Sequence, residues 1–465
     1  MTTRLPIAVA SLLLAVGACG SASSAADTDF VPIFDGRSLD GWLGQDMSFW
    51  SIEDGAITGT ISPAHAPNLN QYLVWQGGLL DDFELKLVFR LAGSAGTPNV
   101  NGGFQFRSRR LPNGDVAGYQ VDNNFGQPWK VRLYDEFGRH DLALEGETTR
   151  IQPDGRRVPS KLALEAGARD FRLDDWHEYH LTAIGSHLTL RINGKLVAEV
   201  FDEDADSFEP AGILGLQLHT GPPMKAQFKD IRLKRLAPSK PLGARPALLA
   251  SASLHWQPGE RPDAHQPPLV PTGEVETGIP GNGPSATAGA RVARLKSGWF
   301  DVRKDLNQPK LWNAPGTTLT VYARARVPDG GWTTPIFGKG HREGPLNFLL
   351  RGMDHPSTPG PDVAFAIRTE RGVYETGFPV QAVDATGWHD LVGRYDGRQL
   401  QIFCDGRLLA STAAGGALLP NDEPIALGAE LRDGAPVRTF TGELEDIALW
   451  TRALTDGEVQ QLSAP

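Results

Sequence analysis

An internal repeat constrains this chain more than any other feature. Trp176-His177-Glu178-Tyr179-His180-Leu181 runs on to Leu188-Thr189-Leu190-Arg191-Ile192-Asn193-Gly194-Lys195-Leu196-Val197-Ala198. At a gapless offset of 212 residues come Trp388-His389-Asp390-Leu391-Val392 and then Leu400-Gln401-Ile402-Phe403-Cys404-Asp405-Gly406-Arg407-Leu408-Leu409-Ala410. Each copy reads as a strand, a loop, a second strand and a hairpin into a third. Asn-Gly and Asp-Gly suit that hairpin because both residues tolerate the positive φ angles of a two-residue turn. Asp230-Ile231-Arg232-Leu233 and Asp446-Ile447-Ala448-Leu449 close the two copies alike. Two β-sandwiches of one general type follow, each about 210 residues.

Alternation supports the same reading. Phe83, Leu85, Leu87 and Phe89 fall on one side of a strand, with Glu84, Lys86 and Arg90 on the other, the period of a half-buried strand. Similar runs occupy Gly103–Arg107, Tyr179–Ile184, Leu188–Ile192, Leu214–His219 and Phe228–Leu236. The 53 Gly and 35 Pro suit many short strands joined by turns. No helical period precedes Thr455, where Thr455 and Glu458 form a capping-box pattern. Trp42, Trp50 and Trp176, near strand starts, are expected in the core.

The N-terminus sets an expected compartment. Arg4, an apolar stretch from Ile7 to Val16 and a Ser/Ala-rich run to Ala26 make a signal peptide too short to span a bilayer. Two cleavage readings stay open: a lipoprotein box ending in a lipidated Cys19, or an ordinary cut after Ser24-Ala25-Ala26. The chain is therefore expected to be exported: periplasmic or at the cell surface with a lipid anchor, otherwise secreted, with contact to membrane only through an N-terminal lipid. Losing Cys19 to the signal region leaves Cys404 without a disulfide partner, as a buried structural thiol. The formal charge of -10 argues against nucleic acid, which wants a basic face. The expected layout is a signal peptide over 1–26, a first sandwich over 28–237, a Pro-rich linker over 238–253 and a second sandwich over 254–465. The Pro- and Gly-rich stretch from Pro258 to Gly289 reads as long loops.

Several segments of the first sandwich carry a family likeness. They are Phe34-Asp35-Gly36-Arg37-Ser38-Leu39-Asp40-Gly41-Trp42, Trp50-Ser51-Ile52-Glu53-Asp54-Gly55, Asp82-Phe83-Glu84-Leu85, Asn101-Gly102-Gly103-Phe104-Gln105-Phe106-Arg107, Gly118-Tyr119-Gln120-Val121-Asp122, Gly215-Leu216-Gln217-Leu218-His219 and Phe228-Lys229-Asp230-Ile231. In this order they resemble the 3-keto-disaccharide hydrolase family, which has a concanavalin-like jelly-roll fold. Gly102 departs from that pattern, where Ser follows Asn. An insert from Leu144 to Arg172 is another departure, at one rim. Leu449-Trp450-Thr451-Arg452-Ala453-Leu454-Thr455-Asp456-Gly457-Glu458-Val459 resembles the end of laminin-G-like or pentraxin-like sandwiches, which speaks to fold rather than function. The fold class is all-β, two concanavalin-like jelly-roll sandwiches in tandem.

Strand parity nominates the site. Gln105 and Arg107 share a polar side, as do Gln120 and Asp122, and Gln217 and His219; Glu84 lies opposite its strand's apolar side. Antiparallel sheets always have a wet face, yet such faces favour Lys, Glu and Thr over a set of Gln, Arg, Asp and His. Asn101 joins the set through the resemblance. Trp75 and Trp129 sit near loops and could stack on a sugar. Glu136 and His140 lie in a loop after Tyr134 as rim contacts. His177 and His389, repeated beside tryptophans, read as scaffold. No cofactor is expected, since ligand spacing supports no metal.

The resemblance implies a substrate whose sugar carries a ketone at carbon 3. That ketone acidifies the hydrogen on carbon 2, so a base can form an enolate and expel the oxygen on carbon 1; water then completes a net hydrolysis. The paired carboxylates of ordinary glycosidases are not needed. A base, a stabiliser of the enolate oxygen and an acid are. His219 or Asp122 is the expected base, Arg107 faces the oxyanion and Gln120 orients hydroxyls. The competing reading is a cell-surface lipoprotein with two non-catalytic lectin domains.

Overall fold

The structure, a computed structural model, describes residues 29–93, 100–111, 113–205, 207–239, 244–258, 269–280, 291–302, 316–354 and 361–463. The signal region with Cys19, and parts of the expected linker and loops, lie outside these residues. Strands dominate, and the described residues form an all-β protein of sandwich type.

Two sheets build the first sandwich. The larger has ten strands, in the order Arg157–Lys161, Glu147–Ile151, Lys195–Asp202, His187–Ile192, His177–Ile184, Phe83–Gly93, Met224–Arg235, Ala56–Ile61 and Trp50–Glu53, with Val31–Pro32 on Met224–Arg235. The smaller has seven: His140–Leu144, Val131–Glu136, Val116–Asn124, Asn101–Arg110, Ile213–Leu218, Gln71–Trp75 and Trp42–Gly44. Leu85, Leu87 and Phe89 of the large sheet meet Phe104, Phe106, Val121, Leu133 and Leu216 of the small one in a single core. Each such side chain contributes about 1.5–3 kcal/mol by leaving water. Polar residues are thereby pushed to the two outer faces, and the outer face of the seven-stranded sheet carries the candidate site. The insert extends the large sheet: Glu147–Ile151 runs parallel to Lys195–Asp202 and pairs with Arg157–Lys161.

The repeat is visible in backbone geometry. Asn193 and Gly194 turn at φ 51° and 79°, and Asp405 and Gly406 at 50° and 74°. His177 Nδ1 meets the Asn193 amide at 2.9 Å, and His389 Nδ1 meets Asp405 at 2.8 Å. Each ring's Nε2 contacts a backbone carbonyl five residues earlier, of Arg172 and Asp384. These histidines pin the same hairpin in both halves.

The second half, from Leu254 to Trp450, forms one continuous sheet of 14 strands. Its C-terminal helix α2, Asp456–Leu462, has the expected capping box of Thr455 and Glu458.

Three expectations are corrected. A helix α1, Ala244–Ala250, stands where only linker was expected; Leu248 and Leu249 pack against Trp450, Val459 and Leu462, a tertiary contact that local periodicity does not reveal. Leu269–Pro280 is a strand paired with Arg291–Val302 rather than loop. Trp176 is not core: it is partly exposed, beneath Arg90 and Lys229 at 4.5 and 4.2 Å.

Candidate functional site

Register decides which side chains share the outer face of the seven-stranded sheet. Asp122 lies opposite Arg132 on one side and Gly103 on the other, and Gly103 opposite Gln217, which faces Tyr72. The next row is Tyr134, Gln120, Gln105, Gly215 and Val74. Asn101, Gln105, Gln120, Asp122 and Gln217 thus come together as expected. All are buried, an unusual state for the polar face of a sheet.

The hydrogen bonds form one connected array. Gln120 Nε2 donates to Gln217 Oε1 at 2.6 Å, and Gln217 Nε2 to the Tyr72 hydroxyl at 3.1 Å. Tyr72 in turn bonds Asp115, just ahead of the Val116–Asn124 strand. Asp122 accepts from Asn101 Nδ2 at 2.9 Å and from Arg132 Nε at 2.7 Å. Arg132 also reaches Asp141, and its guanidinium lies 4.3 Å from the Trp129 ring and 3.9 Å from that of Tyr134. Within this set of five, two buried amide atoms have no partner among the described residues, Asn101 Oδ1 and Gln105 Nε2. An unpaired buried amide atom costs about 1–3 kcal/mol, which a bound hydroxyl would recover.

The acids here are perturbed. Burial pushes Glu136 up to about 8, reinforced by the negative charges of Asp115 and Asp122. Asp115 rises to about 6, again through burial. Asp122 is raised by burial, against the pull of Arg132, Asn101 and His219. Glu136 accepts no hydrogen bond among the described residues. Clustered carboxylates of raised pKa mark sites where a neutral acid is wanted.

His219 follows the end of Ile213–Leu218, half-buried and close enough to Asp122 to lower its pKa. Its Nδ1 is 2.5 Å from the Thr220 carbonyl. A carbonyl only accepts, so Nδ1 carries the proton and Nε2 is the open nitrogen.

Two nominated residues are elsewhere. Arg107 sits in a β-bulge between Phe106 and Ser108, at φ 44°, which takes its side chain out of the alternation. It is fully buried and donates to Asp82 Oδ1 at 2.7 Å and to the carbonyls of Asp81 and Gly185 at 2.7 and 2.6 Å. It ties the two sheets together and does not reach the polar face. Glu84 lies on the outer face of the other sheet, 2.9 Å from His180 Nε2. Parity cannot tell which sheet a strand joins. Glu136 is on the site but ends the strand Val131–Glu136 rather than lying in a loop; Asp135 beside it points to the core and pairs with Arg139. His140 opens the edge strand, exposed, its Nδ1 2.9 Å from the Tyr134 hydroxyl. Trp129 borders the site through Arg132. Trp75 lies at the opposite edge, its ring packed on the core rim.

Sequence reasoning missed Tyr72, Asp115, Arg132, Tyr134 and Asp141. Alternation in Val131-Arg132-Leu133-Tyr134-Asp135-Glu136 was a usable signal for three polar residues on one side; Asp115, in a turn, left none.

Residues 29–234 match the 3-keto-alpha-glucoside-1,2-lyase-like domain. The lyase-like domain marks the chain as carbohydrate-acting. It is followed at residues 304–460 by a match to the concanavalin A-like lectin/glucanases superfamily, in the expected order. No curated protein matches the chain. Among solved structures, a carbohydrate-binding module from Bacillus subtilis is 13% identical, with 42% of this chain and 95% of that chain covered and a TM-score of 0.28. A pentraxin from Limulus polyphemus is 16% identical over 32% of this chain and 71% of its own, at 0.26. Domain 4 of an extracellular arabinanase from Geobacillus stearothermophilus is 15% identical over 37% and 77%, at 0.27. Superpositions this loose carry no argument about function.

Among the described residues, one group of three potential metal ligands lies within reach of a common ion: His389, Cys404 and Asp405 in the second half. Its atoms are already engaged. His389 bonds Asp405 and the Asp384 carbonyl, and Cys404 Sγ bonds Asp405.

Proposed function

We propose that the lyase-like domain cleaves 3-keto-glycosides by removing the hydrogen on carbon 2, expelling the group on carbon 1 and hydrating the product. The observation that carries this reading is the buried polar row in which the unpaired atoms of Asn101 and Gln105 flank Gly103, beside Asp122 and His219. Sugar hydroxyls supply the missing partners, and an imidazole supplies a base with little tuning.

His219 takes the carbon 2 proton on Nε2. The C–H pair becomes the enolate, then the C1=C2 bond, as the C1–O bond breaks. The imidazolium returns the proton to the leaving oxygen on the same face, and water adds afterwards. Asp122 lies near the imidazole. Arg132, on the polar face, supplies the cation for the enolate oxygen that Arg107 cannot. Gln120 and Gln217 orient hydroxyls. Glu136 lies on the neighbouring strand opposite Gly118, which is four residues from Asp122. It is neutral at pH 7 and donates a hydrogen bond to the far end of the substrate.

Incubating the full-length mature protein with 3-keto-trehalose, 3-keto-lactose and their unoxidised parents tests this. Release of hexose from a keto sugar alone supports it. Binding without release leaves a lectin. Export with a lipid on Cys19 is part of the proposal, and Cys19→Ala should then lose the membrane fraction; unchanged partition would count against the anchor.

A further inference from the structure

Three arginines end the strand Asn101–Arg110, and two are spoken for. Arg107 is bound to Asp82, and Arg109 Nη2 to Glu209 at 2.6 Å. Among the described residues, Arg110 has no hydrogen bond or ion pair. It lies half-buried on a cleft of about 790 Å³ between the two halves of the chain, walled by Leu43, Val74, Ile213 and Leu248 among others. That volume is typical of small-molecule sites. The other charges lining it, Arg452 and Glu458, neutralise each other at 2.6 Å, and Glu458 is pulled down to about 2 by Arg452 and the helix cap. Burial holds the Arg110 guanidinium below its usual range, the mark of a cation that has lost water and gained no partner.

The cleft continues the polar face. Val74 lies opposite Gly215 in the Tyr134–Gln120–Gln105 row, and Ile213 is two residues along the same strand. Gly215 leaves that row bare, its absent Cβ meeting only ordinary contacts.

We propose that this cleft is a binding site for an aromatic carboxylate, with Arg110 reading the carboxylate and the apolar walls taking the ring. Resting on the reading above, it is the subsite for the group released from carbon 1, and the substrates favoured are glycosides of aromatic acids. An apolar cleft with one uncompensated cation selects an amphipathic anion over a neutral hydroxylated sugar, because the carboxylate restores the hydrogen bonds Arg110 lacks and the ring buries apolar wall.

The test is calorimetric binding of 4-(glucosyloxy)benzoate and its carboxamide to the full mature protein. The two probes match in size and differ in charge. Neither has a ketone, so the outcome is independent of whether the domain cleaves 3-keto sugars, which hexose release decides separately. The carboxylate should bind at least about tenfold more tightly, the worth of one charge-assisted pair. Arg110→Gln should abolish the difference, and Arg110→Lys should retain part of it; a melt on each variant confirms folding. Equal affinities in the parent protein, no binding of the carboxylate, or a preference that survives Arg110→Gln would each overturn the assignment.

Discussion

Gln120 and Gln217 meet at 2.6 Å although a whole strand separates theirs. The strand between them carries Gly103, which has no side chain, opposite Asp122 and Gln217. A Cβ at Gly103 would run into the Val121 carbonyl oxygen and crowd Asn123 Nδ2. Gly103→Ala should therefore cost about 3 kcal/mol, the upper range of overpacking, and lower the melting temperature. An unshifted melt would mean the strands part more easily than this geometry implies.

Arg107 should behave as a structural residue. Arg107→Met leaves Asp82 without its cation at the junction of the sheets, with an expected loss of about 3–5 kcal/mol. Denaturant unfolding checks this. The contrary result is a stable variant that has lost only sugar turnover, which would return Arg107 to the site.

Glu136 gives a pH dependence opposite to that of ordinary carboxylates. Folded, it holds its proton to about pH 8; its ordinary value is 4.5. Between those values the folded chain binds more protons than the unfolded one, so stability falls as pH rises through the window and levels off above it. Glu136→Gln does not lose a proton. Its melting temperature should exceed the parent's by a margin that grows from about pH 5 to about pH 8. A constant margin would show that Glu136 ionises normally.

His219→Ala should lower turnover of a 3-keto-disaccharide by about 10²–10⁴-fold with little change in the melt. Asp122→Asn should lower it less, because it acts through the imidazole. Loss of activity only through unfolding would make His219 structural and direct attention to Asp122, Glu136 and His140.

The repeat and the period-two strands made the fold class legible, because hairpin turns and alternation are local properties. The polar sides of Gln105, Gln120, Asp122 and Gln217 were legible for the same reason, while Asn101 came from the family resemblance. Arg107 was misplaced because a bulge adds one residue and resets parity, and an Arg at positive φ leaves no signature. Glu84 was misplaced because alternation assigns a side and never a sheet. Asp115 and Tyr72 depend on strand order, which only the folded chain supplies. Helix α1 depends on its contacts with Trp450 and α2.

The central claim is that cleavage begins with removal of the hydrogen on carbon 2. Rates for a 3-keto-disaccharide deuterated at carbon 2 should be compared with those for the undeuterated sugar, under single turnover with the parent protein. Slower release from the deuterated sugar is the predicted result. Equal rates, with the deuterium still on carbon 2 of the product, would contradict it.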